Sequence, residues 1–177
     1  LLKYLGEKKS EPAKIRKAMA INPPIDLKRA SLILSKTKKG RLFNNYFMRP
    51  IHLQGKALAE SFPGCLAPSG NEKTILDFDI LYTAPAAKFN DVNDYYSECS
   101  AKKYLKDITV PTTILSALDD PFVEPDIFKS VRMSSAINLN SPEQGGHMGY
   151  ICSDLTPWGD YRWMDFKVVD WAGEDRK

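Results

Sequence analysis

The chain has 177 residues, 43% hydrophobic and 27% charged, a balance that excludes a disordered, collagen-like or coiled-coil chain. Its net charge of +3, from 25 basic and 22 acidic residues, is too mild for a nucleic-acid module. No apolar run reaches the length of a membrane-crossing helix.

In chain order, Leu1, Leu2 and Leu5 followed by Gly6 read as the last turns of an amphipathic helix with a glycine C-cap. No initiator Met and no signal-peptide n-region precede them, so a fragment is expected, with a frayed native terminus as the alternative. Residues 15–22 read as a buried strand that Pro23-Pro24 ends. Asp26 is a good N-cap for a helix carrying Leu27, Ala30, Leu32, Ile33 and Leu34. A basic break over 36–40 leads to a long helix over 42–59, which Pro50 should kink or split. Pro63-Gly64 and Pro68-Ser69-Gly70 are turns, residues 74–79 are ambiguous, and Ala84-Pro85 reads as extended or turn. Residues 91–104 read as helix, 111–117 as the clearest strand, 124–131 as helix and 136–140 as a strand. Gly145-Gly146-His147 is a loop, and 163–171 is an amphipathic terminal helix. Strands alternating with helices predict a mostly parallel α/β sheet with a helical insertion over 27–87. Only three strands are legible, fewer than such sheets carry on average, so more of the sheet is expected upstream.

Two constellations could carry chemistry. Asp119-Asp120-Pro121-Phe122-Val123 follows the 111–117 strand, and functional groups of open α/β sheets gather at the carboxyl ends of strands. The alternative is an Asp-Pro turn that only caps the helix near Glu124. Gly145-Gly146-His147-Met148-Gly149-Tyr150 follows the last strand, where glycines permit unusual backbone angles and leave the imidazole accessible. Its alternative is a turn histidine with no task. Together they stand in the order acid, then histidine, as in the Ser…Asp…His triads of α/β-hydrolases. There the histidine takes a proton from the serine and returns it to the leaving group, while the carboxylate holds its tautomer.

The stretches Pro23-Pro24-Ile25-Asp26-Leu27, Asp94-Tyr95-Tyr96, Tyr104-Leu105 through Pro111-Thr112, Ala117-Leu118-Asp119-Asp120-Pro121-Phe122 and Gly145-Gly146-His147-Met148-Gly149-Tyr150 resemble the YheT-like branch of the α/β-hydrolase superfamily, from Leu1 to about Ile151. The resemblance implies the C-terminal portion of an α/β-hydrolase fold whose serine elbow and oxyanion loop lie upstream of Leu1. It implies Asp120 as triad acid, with Asp119 as competitor, and His147 as base. Asp120 is preferred because the family's loop sets its acid shortly before a hydrophobic residue at the position of Val123. It also implies a carboxylesterase or lipase acting on short-chain or lipid esters.

No G-x-S-x-G occurs, and neither Ser69 nor Ser116 has the elbow's strand–turn–helix setting, so the isolated chain is expected to be inactive. The insertion is expected to cap the active site, with Phe43, Tyr46, Phe47, Met48 and Phe62 lining an acyl pocket or simply packing the cap. His52 is expected to be a surface or packing residue. The cluster Lys28, Arg29, Lys36, Lys38, Lys39 and Arg41 is expected to be a solvated face, with peripheral contact to anionic lipid as the secondary reading. Cys65, Cys99 and Cys152 lack metal or disulfide spacing, which fits a cytoplasmic protein with no metal. No cofactor, nucleic acid or obligate protein partner is expected. The competing class is a non-catalytic α/β-hydrolase-like binding module; amide, thioester or haloalkane cleavage is a third reading. Half a sheet should leave an edge strand unpaired and make the isolated chain marginally stable and prone to aggregate.

Overall fold

A computed structural model describes residues 1–7 and 14–173. The chain forms two compact units, one of residues 1–23 with 106–177 and one of the continuous segment 24–105, which takes in the whole 27–87 insertion.

The first unit is built on three parallel strands, β1 (Ala18–Ile21), β2 (Thr112–Leu115) and β3 (Ile137–Asn140), in the order β1-β2-β3. Ala18 pairs with Thr112, which in turn pairs with Ile137, and each register holds to the strand end. The β-branched run Thr-Thr-Ile makes β2 the natural centre, and Ile114 and Leu115 are buried. Residues of β3 alternate between half-buried and exposed, as an edge strand does. The mixed α/β fold with a parallel sheet is therefore the one expected.

Helix α1 (Leu2–Gly6) buries Leu2, Leu5 and Gly6. Gly6 is the last helical residue rather than the cap, a position Glu7 takes in extended backbone. The expected helix over 124–131 is a short 3₁₀ segment, Pro125–Ser130. Pro125 opens it, and the segment ends at Val131 in extended backbone. A further helix, Trp163–Gly173, ends the described chain, with half-buried residues at 163, 164, 166, 167, 168, 171 and 173 and none fully buried. Trp163 stacks on Tyr150 at 5.9 Å, and with Met164 it packs on the cluster of Leu115, Ala117 and Tyr150.

The second unit is helical. Asp26 caps α2 (Leu27–Lys36) by accepting from the Arg29 N–H. The expected break over 36–40 narrows to Thr37, which ends α2 and caps α3 (Lys38–Ser61) by accepting from the Gly40 N–H. The turn is this tight because Gly40 lies against the backbone of Ile33 and Leu34, where a Cβ would sit 2.1 Å from the Ile33 carbonyl oxygen. Pro50 does not split α3, which runs through it for 24 residues. Burial of Asn44, Met48 and Gly55 along the inner face holds the helix together across the lost backbone bond.

Residues 74–79 resolve as α4 (Ile75–Phe78), opened by a Thr74/Asp77 capping box. A π-turn (Asp79–Thr83) runs on into α5 (Ala84–Ala86), so Ala84-Pro85 is helical rather than extended. Pro85 follows directly on the π-turn, whose altered hydrogen-bond spacing accommodates the N–H that proline lacks. Asp91 caps α6 (Val92–Cys99) through Asn93 and Asp94, and the helix stops at Ser100, short of the expected 104. We number Trp163–Gly173 α7.

Candidate active site

The turn after β2 folds around the carboxylate of Asp120. One oxygen, Oδ1, accepts from the N–H groups of Phe122 (2.7 Å) and Val123 (3.1 Å), an Asx-type turn that Pro121 favours. The other, Oδ2, lies 2.9 Å from His147 Nδ1. The Asp120 side chain is fully buried, whereas the His147 side chain is 34% exposed. The two sequence readings of this aspartate thus describe its two oxygens: one stabilises the turn, and the other meets the imidazole.

Asp119, its neighbour, is exposed and does different work. Its Oδ1 accepts from the Gly146 N–H at 2.7 Å, pinning the backbone of the histidine loop rather than the ring. The Phe122 ring stands edge-on to the imidazole at 4.9 Å. The ring turns Nδ1 to the buried carboxylate, and no hydrogen bond to Nε2 is found among the described residues.

The loop holding His147 depends on two glycines. A Cβ at Gly145 would lie 2.5 Å from the Tyr150 ring and 2.9 Å from Ala117 Cβ. Gly146 adopts φ +59°, which costs other residues strain. Tyr150 closes the loop by donating its N–H to the Gly145 carbonyl at 2.8 Å. Its hydroxyl is buried and donates to Asn22 Oδ1 at 2.9 Å. Burial, together with the nearby Asp120 and Asp119 carboxylates, raises the Tyr150 hydroxyl above its ordinary range and keeps it a neutral donor. A groove of about 270 Å³ lined by Pro142, Gln144, Tyr150, Ile151, Cys152 and Trp163 flanks the loop's far end.

The other candidates have structural surroundings. Ser69 donates both its hydroxyl and its N–H to Glu72, stapling the 68–72 turn. Ser116 is fully buried just past β2, and its hydroxyl has no partner among the described residues. His52 packs edge-on to Phe78, with Nε2 3.1 Å from the Glu72 carbonyl. Burial pushes the Glu72 carboxyl up, but its bonds to Ser69, Gly70 and its own N–H outweigh this and hold it below the ordinary carboxylate range. Among the described residues no group of three His, Cys, Asp or Glu side chains could hold a metal ion.

Sequence reasoning missed Asn22, whose side chain reaches both Ala117, at the root of the Asp120 turn, and the His147 loop. The available signal was its place at the carboxyl end of β1, level with Asp120 and His147 at the ends of the other two strands.

A parallel sheet with a carboxylate after one strand, a histidine after the next, and the two in contact has the layout of the α/β-hydrolase class. Known proteins agree: the chain is related to the α/β-hydrolases. It is 27% identical to YheT of Escherichia coli over 97% of this chain and 51% of that protein. It is 29% identical to slr0264 of Synechocystis over 92% of this chain and 47% of that protein. Both relatives carry provisional esterase designations. It is also 27% identical to human monoacylglycerol lipase ABHD2, over 96% of this chain and 44% of the lipase. The chain spans about half the length of the curated relatives it matches. No family model matches it. No solved structure matches it either.

Proposed function

We propose that this chain supplies the acid and the base of a serine hydrolase that cleaves carboxylic esters, short-chain or lipid. The observation that carries the reading is the 2.9 Å contact between buried Asp120 and half-exposed His147. The esterase and monoacylglycerol lipase names of its relatives support the substrate class.

In this reading His147 Nε2 removes the proton from a serine hydroxyl as that oxygen attacks the ester carbonyl, and returns it to the departing alkoxide. The second half repeats the exchange with water, releasing the acid and freeing the serine. Asp120 fixes the Nδ1–H tautomer and offsets the positive charge that forms on the ring. No G-x-S-x-G occurs among the 177 residues, so the nucleophile is contributed by sequence outside them.

Peripheral contact with an anionic lipid surface is part of the same proposal. Leu42, Tyr46 and Leu53 are 75%, 74% and 61% exposed on the crest of α3, opposite its buried face. Lys38, Lys39, Arg41, Arg49 and Lys56 lie on the same helix, against one acid, Glu60.

The test uses the longer protein that carries this sequence, assayed on p-nitrophenyl butyrate and monoacylglycerol and labelled with a fluorophosphonate. His147→Ala should lower kcat/KM by about 10⁴-fold or more and abolish labelling. The isolated 177-residue chain should hydrolyse neither substrate. Ester hydrolysis by that isolated chain, lost in His147→Ala, would overturn the external nucleophile. A longer protein that neither labels nor turns over ester would overturn the enzyme and leave a binding module.

A further inference from the structure

Asn22 sits at the end of β1, is 1% exposed, and adopts φ +43°, a left-handed conformation that asparagine tolerates better than most residues. Its N–H donates to the Leu115 carbonyl at 2.7 Å, continuing the β1–β2 ladder. Its side-chain amide then reaches two separate loops. Oδ1 accepts from the Ala117 N–H at 3.0 Å and from the Tyr150 hydroxyl at 2.9 Å. Nδ2 donates to the Gly146 carbonyl at 3.1 Å and to the His147 carbonyl. The orientation of the amide is fixed by its partners. A backbone N–H can only donate and a carbonyl can only accept, so the oxygen must face Ala117 and the nitrogen must face Gly146 and His147.

Ala117 is the residue from which the Asp120 turn departs, and its carbonyl accepts from the Asp120 N–H. One buried amide, together with the Tyr150 hydroxyl that shares the Ala117 N–H at 3.0 Å, therefore joins the root of the acid turn to the backbone of the histidine itself. A core asparagine needed only to satisfy a buried strand end would not require all four of these partners to lie on the two functional loops. We propose that Asn22 is a positioning residue that holds the His147 backbone in register with the Asp120 turn, so that Nδ1 meets the carboxylate. The proposal rests on the pairing of Asp120 with His147 argued above.

The experiment reads the Nδ1–H proton of His147 directly, as a hydrogen-bonded imidazole resonance downfield of the amide envelope in the ¹H spectrum of the longer protein. His147→Gln assigns it. Asn22→Gly keeps the positive φ accessible while removing the whole amide. Asn22→Asp keeps the acceptor toward Ala117 and Tyr150 but removes both donors to the histidine loop. Ile108→Val, a buried change outside this network, controls for loss of stability alone.

Both Asn22 variants should retain a cooperative melt and wild-type circular dichroism. Their Nδ1–H resonance should vanish or exchange with water at least about ten-fold faster, and kcat should fall about 10²-fold with KM little changed. Ile108→Val should leave the resonance in place. A folded Asn22→Gly and Asn22→Asp with unchanged resonance and exchange would overturn the positioning role while leaving the Asp120–His147 pairing intact. Failure of both variants to fold would assign Asn22 to the fold itself and overturn the proposal equally. Absence of the resonance from the unaltered protein, or its survival in His147→Gln, would instead sink the pairing on which the proposal rests.

Discussion

Asp119 and Asp120 are adjacent and chemically identical, yet burial and partners separate them. Asp120→Asn preserves an acceptor for the Phe122 and Val123 N–H groups but puts an amide in place of the anionic acceptor at His147 Nδ1. In the longer protein it should cost about 10⁴-fold in kcat with little change in melting temperature. Asp119→Asn keeps an acceptor for Gly146 and should cost less than about ten-fold in the same assay. Away from the site, two carboxylates in the 24–105 unit, buried Glu72 and half-buried Asp79, have opposite pH signatures. Burial raises Asp79 above its ordinary value, against the lowering bonds from Tyr96 and Thr83. The folded state then binds its proton more tightly than the unfolded state, so Asp79 opposes folding above its folded pKa, and the cost fades as pH falls from that value toward 3.8. Glu72 is lowered, so its contribution is present above 4.5 and is lost as pH falls through its folded value. Thermal melts from neutral to acid pH should show Asp79→Asn stabilising and Glu72→Gln destabilising at neutrality, with both differences shrinking in acid. Matching signs for the two variants would refute this.

At the scale of elements, the loops and helix ends carry the discriminating tests. Gly145→Ala forces a methyl into the Tyr150 ring and should lower stability by about 2 kcal/mol in chemical denaturation. The crest of α3 should bind vesicles containing phosphatidylglycerol and release them as salt rises, and Leu42→Ser with Tyr46→Ser should weaken that binding. Equal binding to neutral phosphatidylcholine vesicles would count against the electrostatic part. The three strands, the Asp26 and Asp91 caps, and the loops after β2 and β3 were legible in the sequence, because proline, glycine and β-branched residues mark them locally. What was not legible depended on partners distant in the chain. Pro85 resembles a breaker until it is seen to follow a π-turn that runs on into α5, and Pro50 resembles a split until the inner face of α3 is seen to be buried around Met48. Asn22 reads only as the end of a strand, since the loop it holds lies 125 residues away.

For the whole molecule, the sheet decides solution behaviour. Among the described residues β1 pairs on one side only, although Ala18 and Ala20 along it are buried. Its other edge, which has no strand partner among the described residues, is a template for pairing with another chain. The isolated 177-residue chain should therefore self-associate with rising concentration in light scattering, and a monomer that melts cooperatively and reversibly at high temperature would refute this.

The insertion of the 24–105 unit between β1 and β2 has a kinetic consequence. Ala117 donates to Asn22 across 95 residues, so the central strand pairing has a high contact order and is slow to find by chain diffusion. If the inserted helices collapse first, they turn a long floppy tether into a short stiff one and spare much of the loop-closure entropy. Refolding rate, more than equilibrium stability of the sheet, is then set by how quickly α2 and α3 fold on either side of Thr37.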